Sequence, residues 1–233
     1  MEFLDKELSW LSFNHRVLQE AQDSQVPLLE RLRFLGIYSS NMDEFYRVRV
    51  ANVRKQTHLA TAPDEKQHAC NLYDQIKQKV TELQCIFDDT YLNLLSKLSE
   101  QDIHLINEMQ LTEEEKNWLD NYYKEKLQRH IFPLILTDRI NLKDNIKDDA
   151  TYLMVSMSKN SVQQYALIEI PCHNVPRFVR LPKYTNNDIN GSSIILLDNI
   201  IRHCLKQIFV SFFDFDHIQA YSMKLTRDAE FDL

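Results

Sequence analysis

The stretch that decides the fold reads KELSWLSFN from Lys6 to Asn14 and, after a gap, RLRFLGIYSSNMDEFYRVRV from Arg31 to Val50. Its apolar residues recur at intervals of three and four positions, which is the period of an amphipathic helix. We therefore predict two helices that meet at Pro27, because proline suits the start of a helix and not its interior. Their apolar faces are predicted to be Trp10, Phe13, Val17 and Ala21 in the first helix and Leu28, Leu32, Leu35 and Tyr38 in the second.

Three short polar residues, Ser39, Ser40 and Asn41, interrupt the second apolar pattern. Side chains of this kind cap helices by accepting hydrogen bonds from the unpaired N–H groups of the first turn. The sequence therefore predicts a turn here and a third helix that begins at Asn41. The apolar face of that helix is predicted to contain Met42, Phe45, Tyr46, Val50 and Val53.

Arg49 falls within this apolar face, and two interpretations of it stay open. In the first, its methylene groups pack and its guanidinium pairs with a carboxylate of a neighbouring helix. In the second, the guanidinium contacts a phosphate or another part of a substrate at the edge of a site.

A fourth and longer helix is predicted after the loop HLATAPDEK, which runs from His58 to Lys66. Four helices with short connections are typical of a bundle. The apolar stripe of the fourth helix is predicted to include Leu72, Ile76, Val80, Leu83, Phe87, Leu92 and Leu95.

After Glu100 the pattern changes to short apolar segments typical of strands. Thr112 and Glu115 have the spacing of a capping box, which predicts a helix through about Gln128. Strands are predicted at Ile103–Ile106, 152–158, 164–170 and 219–225, a surface loop at KYTNNDINGSS, and a helical stripe at Leu197, Ile200, Ile201, Cys204, Leu205 and Ile208. The predicted fold class is α+β, with an all-helical domain at residues 1–102 and an α+β domain at residues 103–233.

Composition excludes several classes of site. Only Gly36 and Gly191 occur among 233 residues, so the glycine-rich phosphate loops of Walker and dinucleotide-binding proteins are excluded. The net charge of −7 disfavours a nucleic-acid partner, because the average surface field repels polyanions. The four cysteines lack CxxC spacing, and no apolar run is long enough to span a bilayer, which indicates a cytoplasmic protein.

No catalytic arrangement can be read from these residues. Neighbouring carboxylates such as Asp43 and Glu44 point about 100° apart on a helix and do not converge. None of the eight histidines pairs with another at HxxxH or HExxH spacing, so no metal site is predicted.

The two quoted segments resemble the amino-terminal signature of the bacterial polyphosphate kinases of the first type. That resemblance implies transfer of the terminal phosphate of ATP to polyphosphate, and back to ADP, through a phosphohistidine and with Mg²⁺. In the family the phosphorylated histidine and the arginines that hold magnesium lie in carboxyl-terminal domains, so no catalytic residue is expected in this chain. This part of the enzyme is expected to supply the adenine-side contacts and a scaffold for assembly into a homo-oligomer, and peripheral association with the inner membrane stays open.

Asn41 is the residue of this chain to which the resemblance gives a role, because the asparagine of the family's SSN(L/M)DEF turn contacts the nucleotide. An asparagine amide offers a donor beside an acceptor, which matches the edge of adenine. Without the resemblance, a helix cap would be the simpler interpretation of Asn41.

The family continues well beyond the point that matches Leu233, so the expectation is an amino-terminal part that does not catalyse alone and whose second domain is incomplete at its carboxyl end. Apolar surface left open along Leu197–Ile208 would then favour self-association. The alternative is a non-enzymatic helical interaction module that binds partners through its fourth helix and the Leu197–Ile208 helix.

Overall fold

The computed structural model describes residues 5–148, 150–183 and 192–228. It shows a helical region followed by an α+β region with two sheets, which confirms the predicted fold class. The described residues form two compact units, one comprising 5–98 with 226–228 and the other comprising those between Ser99 and Leu225. Among the described residues, no helix has the length and hydropathy that crossing a membrane requires.

The first helix, α1, spans Lys6–Gln22, and α2 begins at Leu28 directly after Pro27. The buried face of α1 consists of Glu7, Leu11, Asn14, Leu18 and Ala21. The predicted face was therefore wrong by a small rotation, and Phe13 is 58% exposed. The reason is that the polar Asn14 occupies an interior position, where hydrogen bonds satisfy its amide.

The predicted turn and helix start at Asn41 are wrong. Helix α2 runs without a break through Leu28–Glu44, continues as a π-helical segment at Phe45–Val50, and passes into α3 at Ala51–Leu59. Ser39 and Ser40 are exposed, where a helix tolerates them, and the Asn41 side chain bonds to another helix instead of capping its own.

Helix α4 spans Pro63–Ser99, with proline at its first position and Asp64 and Glu65 in its first turn. Proline is pre-organised for this position, so the connection from α3 is much shorter than the predicted loop. The prediction of Leu92 as an apolar stripe residue is wrong, because Leu92 is 63% exposed. The buried positions of α4 are Ala69, Leu72, Ile76, Leu83, Thr90, Leu94 and Leu98.

The second unit contains two sheets. In the first, β1 (Ile103–Ile106) pairs in parallel with β6 (Ser192–Leu196), which pairs antiparallel with β5 (Phe178–Arg180). The second is antiparallel throughout, in the order β2 (Leu134–Leu136), β4 (Val162–Glu169), β3 (Thr151–Lys159) and β7 (His217–Lys224). The predicted strand positions are confirmed. Most of the loop predicted at KYTNNDINGSS lies outside the described residues, and the prediction is wrong for its last two residues, Ser192 and Ser193, because they begin β6 by pairing with β1.

Strands β3 and β4 form the predicted hairpin. Its two-residue turn consists of Asn160 and Ser161, which have φ values of 47° and 69°. Positive φ at both central residues is what a twist-compatible hairpin turn requires.

Helix α5 spans Glu113–Tyr122, and both hydrogen bonds of the predicted Thr112–Glu115 capping box are present. A π segment at Tyr123–Leu127 and a 3₁₀ turn at Gln128–His130 follow it. The unit also contains α6 (Leu142–Asn145), α7 (Leu197–His203) and α8 (Leu205–Phe209).

The apolar stripe of α7 and α8 is buried in the core of the second unit. All six predicted residues, from Leu197 to Ile208, belong to this core. The expectation that this stripe would be left open for self-association is therefore wrong, because the two sheets and α5 supply the apolar surface that covers it.

Candidate functional site

Asn41 lies against α1 and donates one hydrogen bond to Asn14, which in turn donates one back to the helix that carries Asn41. Its Nδ2 donates to Oδ1 of Asn14 over 2.9 Å, and Nδ2 of Asn14 donates to the carbonyl of Tyr38 over 3.3 Å. Asn14 is fully buried, whereas Asn41 is only partly buried. The Asn14 amide therefore fixes the direction of the Asn41 amide and leaves part of the latter accessible.

Asn14 is the site residue that the sequence reasoning missed. A signal was available, because Asn14 follows Leu11 by three positions and precedes Leu18 by four, so it lies on the same helical stripe. A buried polar side chain in such a stripe requires a hydrogen-bonding partner, which here is provided by α2.

An aromatic stack follows Asn41 along the helix. The rings of Trp10 and Phe45 are parallel, with centroids 4.6 Å apart and an interplanar angle of 11°. Phe45 is buried and meets Tyr46 edge to face at 6.2 Å. Burial of part of the ring raises the pKa of Tyr46, and the nearby Tyr73 adds to the effect.

Beyond this stack lies a cavity of about 570 Å³ between the start of α1, the π segment with α3, and α4. Arg49 and Asn52 line it from one side, and His68 lines it from α4. A second groove of about 750 Å³ shares Asn52, Gln56 and His68 with the first. The two cavities therefore adjoin each other along the helix that carries Asn41.

Two carboxylates from the start of α1 line the first cavity. Burial raises the pKa of Glu7, and a hydrogen bond to Asp5 adds to the rise. Burial alone would raise the pKa of Asp5, but hydrogen bonds from Glu7 and the charges of His68 and Lys6 lower it overall. Asp5 therefore carries the negative charge of this pair in preference to Glu7.

Both carboxylates have a basic neighbour. Lys6 Nζ lies 3.6 Å from Glu7 Oε1, and His68 Nε2 lies 3.9 Å from Asp5 Oδ2. Arg49, in contrast, makes no hydrogen bond or ion pair with any of residues 5–148, 150–183 or 192–228. Within that part of the chain, the carboxylate partner that the first interpretation of Arg49 required is not found.

The histidines are spread over both units, and we assign none of them a catalytic role. One cluster of metal-type donors does occur in the second unit, where donor atoms of Asp120, His203 and Cys204 lie within 4.8 Å of one another. The sequence spacing did not indicate this cluster, because Asp120 comes from α5 and is brought to the end of α7 only by folding.

Hydrogen bonds account for this cluster without a metal. His203 Nε2 lies 3.0 Å from Asp120 Oδ1, and Gln207 donates to the same oxygen over 2.7 Å. Burial, together with the charge of Asp120, raises the pKa of the Cys204 thiol to about 12, so it stays protonated and is a poor metal ligand.

Comparison with known proteins gives two family matches. Residues 3–106 match the family model for the polyphosphate kinase N-terminal domain, and residues 114–233 match that for the polyphosphate kinase middle domain.

Individual relatives agree with these matches. The chain is 47% identical over 231 residues to the polyphosphate kinase of Escherichia coli K12 and 46% identical to that of Salmonella typhimurium LT2. These alignments cover 99% of this chain and 33% of each relative, so the chain spans about a third of the length of the curated relatives it matches. The crystal structure of polyphosphate kinase from Porphyromonas gingivalis superposes with a TM-score of 0.83 at 28% identity, covering all of this chain and 34% of that one.

Proposed function

The chain belongs to the polyphosphate kinase family, and from this premise we propose that it forms part of an enzyme that transfers the terminal phosphate of ATP reversibly to polyphosphate. Within that enzyme, residues 1–102 and 103–233 are its amino-terminal and middle domains. The role that we propose for the first of these is to bind the adenine base through Asn41.

The observation that carries the nucleotide role is the orientation of the Asn41 amide. Its Nδ2 donates one hydrogen to Asn14, so one hydrogen and the carbonyl oxygen of the Asn41 amide remain to bind a ligand. Adenine presents a complementary pair, since its exocyclic amine donates and its ring nitrogen accepts. A bond to a fully buried partner holds the amide in place, so little rotational freedom is lost when the base binds.

The remaining chemistry belongs to residues outside this chain. We propose that a histidine there takes the phosphoryl group from ATP and passes it to the polyphosphate end, which is covalent catalysis by a nitrogen nucleophile. Stabilising the moving phosphoryl group is electrostatic work that requires cations beside it. No catalytic residue is proposed within this chain, and alone it is proposed to be inactive.

Mg²⁺, homo-oligomer formation and a cytoplasmic location also belong to the proposal, and each is supported by family membership alone. Among the described residues, the donor cluster at Asp120, His203 and Cys204 does not fit Mg²⁺, which prefers carboxylate, carbonyl and water oxygens. We therefore derive no step through the ion from these residues.

The alternative of a non-enzymatic interaction module has no support. The Leu197–Ile208 stripe that would bind a partner is buried in the core of its own unit.

The test is steady-state kinetics of the full-length natural protein with Asn41→Ala. Losing one hydrogen-bond partner in a partly buried site costs about 1 to 3 kcal/mol, which corresponds to a roughly five- to hundredfold rise in KM for ATP. We expect kcat to change little, because the base lies far from the transferred phosphoryl group.

A second nucleotide separates base recognition from damage to the fold. Guanine presents a different donor and acceptor pattern, so loss of the Asn41 contact should reduce the preference for ATP over GTP. If kcat/KM for both nucleotides falls by the same factor, Asn41 supports the fold only, and the base contact must be sought elsewhere. Ser40→Ala is the matched control, since Ser40 is the exposed neighbour of Asn41 on the same helix.

A further inference from the structure

We propose that Arg49 binds a phosphate group of the same nucleotide whose base contacts Asn41. The proposal rests on the proposed function and extends it from the base to the phosphate chain. It follows from the position of Arg49 on the helix, from the charges around it, and from the cavity that it lines.

The π segment aligns the two side chains. In a regular α-helix, residues eight positions apart differ in direction by about 80°, because each residue turns by about 100°. A π turn contains about one residue more than an α turn, so the segment Phe45–Val50 removes most of this difference. Asn41 and Arg49 therefore lie on nearly the same face of one continuous helix.

Their separation suits one extended nucleotide. Asn14, the partner of Asn41, and Glu7, which lines the same cavity as Arg49, are seven residues apart on α1, or about 10 Å along its axis. The Trp10–Phe45 stack lies between these two positions in sequence on both helices. With its base at Asn41, a nucleotide would thus pass the partly exposed Trp10 of this stack and place its phosphates toward Arg49.

The guanidinium donors of Arg49 are available for an anion. Asp5 has His68 beside it and Glu7 has Lys6, so the two carboxylates of the cavity wall have basic neighbours that are not Arg49. Within residues 5–148, 150–183 and 192–228, the Arg49 guanidinium has no hydrogen-bonding or ionic partner, although it is partly buried. A guanidinium offers a planar fork of donors that matches two phosphate oxygens, and a bound phosphate would satisfy it.

The test compares a ligand with and without phosphates. Binding of adenosine and of ADP to the full-length natural protein is measured by calorimetry for the wild type, Arg49→Gln, Arg49→Lys and Arg33→Gln. Arg33 is the control because it is an exposed arginine of the same helix, 3.7 Å from Glu30, whose replacement removes the same charge.

Arg49→Gln should weaken ADP binding by roughly ten- to hundredfold and leave adenosine binding unchanged, whereas Arg33→Gln should alter neither. Arg49→Lys should retain part of the ADP affinity, because it keeps the charge without the fork. Unchanged ADP binding, or an equal loss for adenosine and ADP, would overturn the proposal. If Arg49→Gln does not fold, Arg49→Lys decides the question. It should lose part of the affinity for ADP and none of the affinity for adenosine.

Two further measurements distinguish this proposal from a polyphosphate site at Arg49 and from the base contact of Asn41. Inorganic polyphosphate is titrated as well, and if Arg49→Gln weakens its binding without affecting ADP, the residue holds the polymer and not the nucleotide. Asn41→Ala should weaken adenosine and ADP equally. If it affects neither ligand while Arg49→Gln weakens ADP, the base contact of the proposed function fails and the phosphate contact stands.

Discussion

Replacing Asn41 with alanine should destabilise the helical unit, apart from any effect on a nucleotide. The Asn41 amide donates to Oδ1 of Asn14 over 2.9 Å, and Asn14 is fully buried. Alanine at position 41 leaves that oxygen inside the protein without its donor.

The size of the effect follows from two opposing contributions. A buried acceptor without a partner costs about 1 to 3 kcal/mol. Alanine has a higher helix propensity than asparagine, which offsets this cost by about 0.5 kcal/mol. The free energy of unfolding should therefore fall by about 0.5 to 2.5 kcal/mol.

Urea unfolding followed by far-UV circular dichroism measures this change, with the slope against urea serving as a check that the unfolded state is unaltered. Ser40→Ala is the control for propensity alone, because Ser40 is exposed, and it should leave stability unchanged or slightly raised. In a double-mutant cycle, Asn14→Ala and Asn41→Ala should couple by about 1 kcal/mol. Equal stabilities for Asn41→Ala and Ser40→Ala would refute the role of the Asn14–Asn41 bond.

Three further changes test other parts of the structure. Thr112→Ala removes the capping oxygen of α5, which accepts from the Glu115 backbone N–H over 3.3 Å, and should lower the free energy of unfolding by about 1 kcal/mol; an unchanged urea midpoint would contradict the cap. Ser161→Gly should raise stability by about 0.5 to 1 kcal/mol, because φ at Ser161 is 69° and glycine adopts this conformation without strain; a loss would show that the turn has another geometry. Burial raises the pKa of Glu7, so the native state holds that proton more tightly than the unfolded chain, and stability should fall as pH rises from the unfolded to the folded pKa. Glu7→Gln should flatten this dependence in urea titrations from about pH 4 to about pH 7, and an unaltered slope would argue against a raised pKa.

The sequence allowed the local elements to be predicted where a single strong pattern decides them. The Thr112–Glu115 capping box, the β3–β4 hairpin and the stripe from Leu197 to Ile208 all depend on residues close together in the chain. The parallel pairing of β1 with β6 could not be predicted, because it joins segments about ninety residues apart. The hydropathy pattern of neither segment indicates which strand it pairs with.

The helix through Asn41 shows why local reasoning failed elsewhere. Ser39, Ser40 and Asn41 fit a helix cap by composition, but the bond from Asn41 to Asn14 satisfies the amide across helices and removes the reason for a turn. The π segment has no comparable sequence signal.

The candidate site was predicted only in part. Asn41 came from the family resemblance, and its nucleotide contact stays a prediction. Asn14 could have been found from its place in the buried stripe. The absence of a partner for Arg49 within the described residues became visible only with the positions of Asp5, Lys6, Glu7 and His68.

The π segment at Phe45–Val50 also lets the helix contain an extra residue without changing the direction of the side chains on either side of it. One widened turn holds the extra residue. The side chains before and after this turn therefore point in the directions that they would have in a regular helix one residue shorter. Removing one residue from this segment should therefore preserve the inward direction of Tyr38 and Val53, whereas a deletion elsewhere in the same helix would rotate every following side chain by about 100°. The helix can thus change its length by one residue at this segment while its core contacts on either side stay aligned.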